Sequence, residues 1–79
     1  MSLPPESIEV GNCYLADQRQ YPQIWRVDAI LPDGRLDYKA RPVDPTARQH
    51  WKMRMTSTEL FAAAVSREVP CDWMPEREG

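Results

Sequence analysis

The chain has 79 residues, of which 42% are hydrophobic and 28% charged, which is typical of one small folded domain rather than a disordered chain. No apolar run approaches the roughly 20 residues that a membrane-spanning helix requires. The first ten residues lack the basic and apolar regions of a secretory signal. The sequence therefore predicts a cytoplasmic protein with no membrane partner.

The net charge of −2 conceals an uneven distribution along the chain. Residues 1–34 hold two basic and five acidic side chains, residues 35–54 hold six basic and two acidic, and residues 55–79 hold two basic and five acidic. Acidic ends of this kind argue against strong non-specific DNA binding. Arginine outnumbers lysine eight to two, and its planar guanidinium suits phosphate or carboxylate ligands.

The first half of the chain predicts a tail and three strands. Residues 1–7 contain two adjacent prolines and indicate a disordered or extended tail. Residues 8–15 and 24–31 are predicted strands. In the second of these, Trp25, Val27, Ala29 and Leu31 are predicted to share one face of the sheet.

A tight turn follows at Pro32–Gly34, where glycine is expected to take a positive φ. Residues 35–41 then show the cleanest alternation in the chain. Leu36, Tyr38 and Ala40 are apolar or aromatic, and the residues between them are charged. This alternation is typical of a half-buried antiparallel hairpin.

The second half predicts one more strand and a helix. Residues 49–55 alternate, with Trp51 and the two methionines on one face and basic side chains on the other. Thr56 and Glu59 match a capping box at the start of a helix. The helix carries an apolar stripe at positions 60, 61, 64 and 65 and cannot extend far past Pro70.

These elements predict a mostly β fold with one C-terminal helix, in the α+β class. Residues 8–70 would form the domain, and residues 71–79 a partly docked tail. The expected architecture is a strongly bent antiparallel sheet or SH3-like barrel of four to five strands capped by the helix. The alternative is a flat sheet with the helix on its face. The predicted core is one cluster of Trp25, Val27, Leu36, Tyr38, Trp51, Met53, Leu60, Phe61 and Val65.

Cys13 and Cys71 lie far apart in the sequence. A reducing compartment favours two free thiols, and a disulfide between them is the alternative. The single histidine, His50, has no cysteine or second histidine at metal-ligand spacing. We therefore predict no metal site and no cofactor.

One surface emerges as a candidate binding site if the third and fourth strands share a sheet. Its side chains would point outward together as a basic face: Arg35, Lys39, Arg41, His50, Lys52 and Arg54. Such a face suits an acidic protein surface or phosphates. The alternative is that solvent-facing strand residues are charged in any case, with Arg35 and Lys39 paired to Asp37, Asp28 or the acidic ends of the chain.

The segments "VGNCY" and "WRVDAI" resemble the opening strands of small SH3-like barrels, especially the Tudor and KOW groups. The resemblance covers about the first half of the chain. It implies binding of nucleic acid or short peptides and, for Tudor domains, an aromatic cage for methylated side chains. By position the cage residues would be Tyr14, Tyr21, Trp25 and Tyr38. Trp25 also lies on the most apolar face of its strand, which favours a core role.

No glycine-rich phosphate loop and no nucleophile elbow occur in the sequence, and its carboxylates show no acid–base spacing. We therefore predict a non-enzymatic binding module, with a protein partner favoured over nucleic acid. The alternative is a self-associating protein that forms a homodimer through exposed apolar residues, namely Trp73, Met74, Trp51 and Met53.

Overall fold

A computed structural model describes residues 3–17, 22–43 and 51–73. Five strands and one helix follow a short 3-10 turn at Pro5–Ser7. The elements are β1 (Cys13–Ala16), β2 (Gln23–Ile30), β3 (Arg35–Pro42), β4 (Lys52–Ser57), α1 (Thr58–Ala64) and β5 (Arg67–Val69).

All five strands form one antiparallel sheet in the order β4-β3-β2-β1-β5. The mostly β, α+β class is confirmed. Within the described residues β4 and β5 do not pair, so the sheet is not closed into a barrel. The helix is not the last element, because β5 follows it and pairs with β1.

The predicted hairpin is confirmed in β2 and β3. Gly34 has a φ of +91° and donates to the Leu31 carbonyl, and Asp33 accepts from the Arg35 amide. A register shift lies between Val27 and Ala29, which is the sign of a β-bulge.

The prediction of which β2 side chains share a face is wrong beyond the bulge. Beyond it, Ile30 pairs with Leu36, and Ala29 pairs with Asp37 on the opposite face. An extra residue in one strand reverses the side-chain alternation that follows it, so Ala29 does not share a face with Trp25 and Val27.

Helix α1 begins one residue later than the proposed capping box requires. The Ser57 hydroxyl, rather than that of Thr56, caps the helix by accepting a hydrogen bond from the Leu60 amide at 3.1 Å. The helix buries Phe61 and Ala62, whereas Leu60 is 66% exposed. The predicted core is therefore wrong at Leu60, and only part of the predicted apolar stripe contacts the sheet.

We call the sheet face that packs on α1 the helix face. Its core contains Tyr14, Val27, Leu36, Tyr38, Ala40, Phe61, Ala62 and Val65, together with Ile8 and Ala16. Residues 3–7 differ from the predicted extended tail, because the Leu3 amide donates to the Ala62 carbonyl and the Leu3 side chain packs on this core. The Tyr14 hydroxyl also accepts from the Glu9 amide at 2.9 Å, which holds the N-terminal segment to β1.

We call the opposite side of the sheet the tail face, because the C-terminal segment lies against it. Its core contains Cys13, Leu15, Ile24, Val43 and Val69, with Trp51, Cys71 and Trp73 partly buried against them. The structure therefore has two apolar clusters rather than the single predicted one. Since both faces of the sheet are covered at β1, all four residues of that strand are buried.

A disulfide joins Cys13 of β1 to Cys71 of the C-terminal segment. The prediction of two free thiols is therefore wrong. That prediction depended on the expected compartment, whereas the fold places the two cysteines side by side on the tail face. Residues 71–73 are the docked part of the predicted C-terminal tail, and its remaining residues lie outside the described part of the chain.

Candidate functional site

The register between β3 and β4 divides the predicted basic face between the two sides of the sheet. Directly opposed residues of antiparallel strands point to the same side. Lys52 pairs with Ala40 and Arg54 with Tyr38, so both lie on the helix face. Arg35, Lys39 and Arg41 alternate with those two partners and lie on the tail face. The prediction of one basic face is therefore wrong, and His50 lies outside the described residues.

Arg41 is a structural residue rather than an exposed cation. Only 3% of it is exposed, and its guanidinium donates to the carbonyls of Cys71 at 2.7 Å and Trp73 at 3.3 Å. Burial lowers the pKa of the Arg41 guanidinium, and the nearby Asp72 carboxylate partly offsets this effect. The side chain remains charged, because arginine is not deprotonated in proteins.

Two further cations of the tail face, Arg26 and Lys39, have partners within the fold. Asp28 lies 3.7 Å from Arg26 and 3.8 Å from Lys39, which confirms the alternative prediction of a Lys39–Asp28 pair. Arg26 and Arg41 both lie over the Trp51 ring, at 4.8 and 5.3 Å from its centroid. Among the described residues of the predicted basic face, Arg35 is then the one exposed cation left on the tail face, and a single cation is not a patch able to meet phosphates.

The side chain of Phe61 lies against three residues of the predicted aromatic cage. The Phe61 ring centroid lies 5.6 Å from that of Tyr14, 5.3 Å from Trp25 and 5.2 Å from Tyr38. Tyr14 and Tyr38 are buried, and the partly buried Trp25 donates its indole N–H to Gln23. The predicted cage is therefore wrong for these three residues, and Tyr21 lies outside the described residues.

Strand β4 forms one edge of the sheet, and no strand of the described residues lies beyond it. The Arg35 carbonyl accepts from Leu31 at 2.7 Å, so the backbone polar groups of Arg35 point toward β2. Backbone N–H and C=O groups point to alternate sides along a strand, so those of Leu36, Tyr38 and Ala40 point toward β4. Their partners there are Thr56, Arg54 and Lys52, respectively. Met53 and Met55 consequently point their N–H and C=O groups outward, away from β3.

The side chains of the same two methionines are exposed on the tail face. Met53 is 79% and Met55 62% exposed, although the sequence predicts Met53 in the core. Together with Asp37 and Arg54 they line an open cleft of about 240 Å³. Exposed apolar side chains on an unpaired edge strand are uncommon, because such an edge can pair with other chains.

A larger cleft of about 500 Å³ lies at the turn between β2 and β3, next to the start of α1. Polar groups along it already bond to one another. The Thr58 amide and hydroxyl both donate to the Gly34 carbonyl, at 2.8 and 3.0 Å, and the Ser57 hydroxyl caps the helix. We therefore favour the β4 edge as the candidate site, although the cleft beside it is smaller than the cleft at the turn.

The sequence does not predict this exposed edge, because apolar alternation such as that of residues 49–55 is usually a sign of burial. One signal was available, since Lys52 and Arg54 alternate with the methionines and charged side chains are common on edge strands. Within residues 3–17, 22–43 and 51–73, no three His, Cys, Asp or Glu side chains form a group able to hold a metal ion. In the same residues, no helix is long and apolar enough to cross a bilayer.

The chain matches no protein-family model, no curated protein and no solved structure. The resemblance to SH3-like barrels therefore stays a prediction.

Proposed function

We propose that this protein is a non-enzymatic binding module that takes an extended segment of a protein partner at the edge of β4. The segment would continue the sheet as an added strand. The observation that carries this proposal is the coincidence of two features at Met53 and Met55: their backbone polar groups point outward, and their side chains are exposed. Main-chain hydrogen bonds would supply affinity, and the side chains would supply selectivity.

Contacts on the tail face argue against nucleic acid as the ligand. Arg41 donates to backbone carbonyls, and Arg26 and Lys39 lie beside Asp28. Lys52 and Arg54 remain as cations near the edge, but two charges offer little counterion release to a polyanion. A protein partner stays favoured, as the sequence predicts, although the surface involved is a different one.

A homodimer is the alternative. Fewer of the apolar residues predicted for its interface are exposed than the sequence suggests. Trp51 and Trp73 are partly buried against the tail-face core, and Met74 lies outside the described residues. Met53 remains available for contact with a second copy.

Two of the three antiparallel registers open to a pair of β4 strands would bring cations together. A pair centred on Arg54 sets that residue opposite itself, and one centred on Met53 sets Lys52 opposite Arg54. Directly opposed like charges destabilise a sheet. A pair centred on Met55 avoids this repulsion by setting Arg54 opposite Thr56. The charge pattern of β4 therefore disfavours two of the three homodimer registers, and we take a different chain as the partner.

A neutral peptide tests strand addition without any contribution from charge. The probe is a capped nonapeptide of alternating threonine and valine, titrated into 15N-labelled protein. We expect the amide signals of Met53 and Met55 to shift and their hydrogen exchange to slow, because these N–H groups gain acceptors. The Arg54 amide is the internal control, since it already bonds to β3.

Two changes probe the same hydrogen bonds. Met55→Pro removes an outward N–H without removing a bond to β3, and should abolish binding. N-methylation of every second peptide residue requires no change to the protein. It should abolish binding when the methylated N–H groups are those that point toward β4, and not when they are those that point away. Shifts confined to residues away from β4, or no shift at millimolar peptide, would contradict the proposal.

A further inference from the structure

We infer that the segment bound at β4 alternates acidic and apolar side chains, with acidic residues opposite Arg54 and Lys52 and apolar residues opposite Met53 and Met55. This inference rests on the proposed function and adds the chemistry of the partner to it.

The two faces of β4 offer different surfaces to an added strand. Residues of that strand opposite Met53 and Met55 would point to the tail face, beside the open cleft. Residues opposite Lys52 and Arg54 would point to the helix face. Because side chains alternate along a strand, one class of partner residue meets the methionines and the other meets the cations.

The cations of β4 lack acidic partners within the described residues. Asp28 forms ion pairs with Arg26 and with Lys39, but on the tail face. Lys52 and Arg54 are exposed, and no carboxylate of residues 3–17, 22–43 or 51–73 lies within 4.0 Å of either. Carboxylates of an incoming strand would stand directly opposite these charges.

The methionines define the other half of the pattern. Met53 and Met55 stand in line on the tail face and are largely exposed. Methionine is unbranched and adapts to differently shaped apolar partners. Apolar residues at alternate positions of the bound segment would cover both side chains, and a polar residue there would leave the apolar surface exposed.

Three matched nonapeptides separate this inference from the proposed function. Valine alternates with glutamate in one, with threonine in the second and with lysine in the third. Each is capped, labelled with fluorescein, confirmed as a monomer by sedimentation, and titrated by fluorescence anisotropy. Two opposite-charge pairs predict that the acidic peptide binds about fivefold more tightly than the neutral one, with the basic peptide weakest.

Arg54→Glu tests whether the preference comes from β4. We expect this variant to lose its preference for the acidic peptide and to bind the basic one more tightly than the wild type does. Arg35→Glu is the control, because it makes the same change in net charge at an exposed residue on the tail face. It should leave the order of the three affinities unchanged.

The possible outcomes distinguish the two proposals. Equal affinity for the three peptides, or tightest binding of the basic one, would overturn the inference and leave strand addition standing. No binding by any peptide would overturn both. A single-stranded decanucleotide that binds as tightly as the acidic peptide, without shifting the Met53 and Met55 amides, would show a general response to polyanions and overturn the inference.

Discussion

The two faces of the sheet bury apolar side chains by different means. The helix face is covered by α1, which inserts Phe61 between Tyr14, Trp25 and Tyr38. The tail face is covered by a short C-terminal segment, which a disulfide and the Arg41 guanidinium hold in place. A helix satisfies its own backbone and can be held by side-chain packing, whereas an irregular segment needs partners for its carbonyls.

The largest expected effect concerns the helix face. Phe61→Ala should lower the free energy of unfolding by about 4 kcal/mol, because a fully buried ring is removed from the centre of an aromatic cluster. Urea denaturation followed by tryptophan fluorescence measures the loss. Leu60→Ala is the matched control in the same helix and should cost less than about 1 kcal/mol, since Leu60 is largely exposed.

Equal losses from these two substitutions would contradict the position of α1 on the sheet. A helix rotated by about 100° would exchange the roles of the two neighbouring residues.

The next effect concerns the disulfide on the tail face. Cys71→Ser should lower the free energy of unfolding by about 3 kcal/mol, because the bond closes a long loop between residues separated by 58 positions. Chemical denaturation of the variant and of the wild type, both without reductant, measures the difference. Dithiothreitol should destabilise the wild type and leave the variant unchanged. A wild type that is indifferent to the reductant would show that the bond does not form.

Arg41 should contribute less than the disulfide but act on the same segment. Arg41→Met should cost about 2 kcal/mol, because the Cys71 and Trp73 carbonyls lose a charged donor. Arg35→Met, on the same strand and face but exposed, is the matched control and should have little effect. Urea denaturation of both variants gives the comparison.

Combining Arg41→Met with Cys71→Ser sharpens the contrast between the faces. Both changes release the C-terminal segment, so their combined cost should be smaller than the sum of the single costs. Phe61→Ala combined with Arg41→Met should be closer to additive, since the two side chains lie on opposite faces of the sheet. Simple additivity of the first pair would mean that the two anchors act independently.

The smallest effect concerns the turn between β2 and β3, whose residues belong to neither apolar cluster. Gly34→Ala should cost about 1 kcal/mol, because alanine disfavours the φ of +91° at this position. An added Cβ would meet no atom within 4 Å, so no steric clash contributes. The cost would therefore reflect backbone strain alone. Thermal unfolding measures it, and Asp37→Ala on the following strand serves as a control for local change. A stability gain in Gly34→Ala would contradict the positive φ.

The local elements follow from short patterns in the sequence. "PDG" between two alternating segments specifies a hairpin, since the turn residues and the period of two act within a few positions. The same holds for the start of α1, which was predicted to within two residues. The bulge between Val27 and Ala29 was not predicted, because it reverses side-chain facing without any distinctive residue at that point.

Tertiary structure decided which side chains meet. The alternation was predicted correctly for residues 52–55, but the register of this strand against β3 was not. That register places Lys52 and Arg54 on the helix face and the methionines on the tail face. Register depends on long-range pairing, and one residue of slip exchanges the two faces. In the sequence, Arg41 resembles the other charged residues of its strand. Only the carbonyls of Cys71 and Trp73, some 30 residues away, make it a buried anchor.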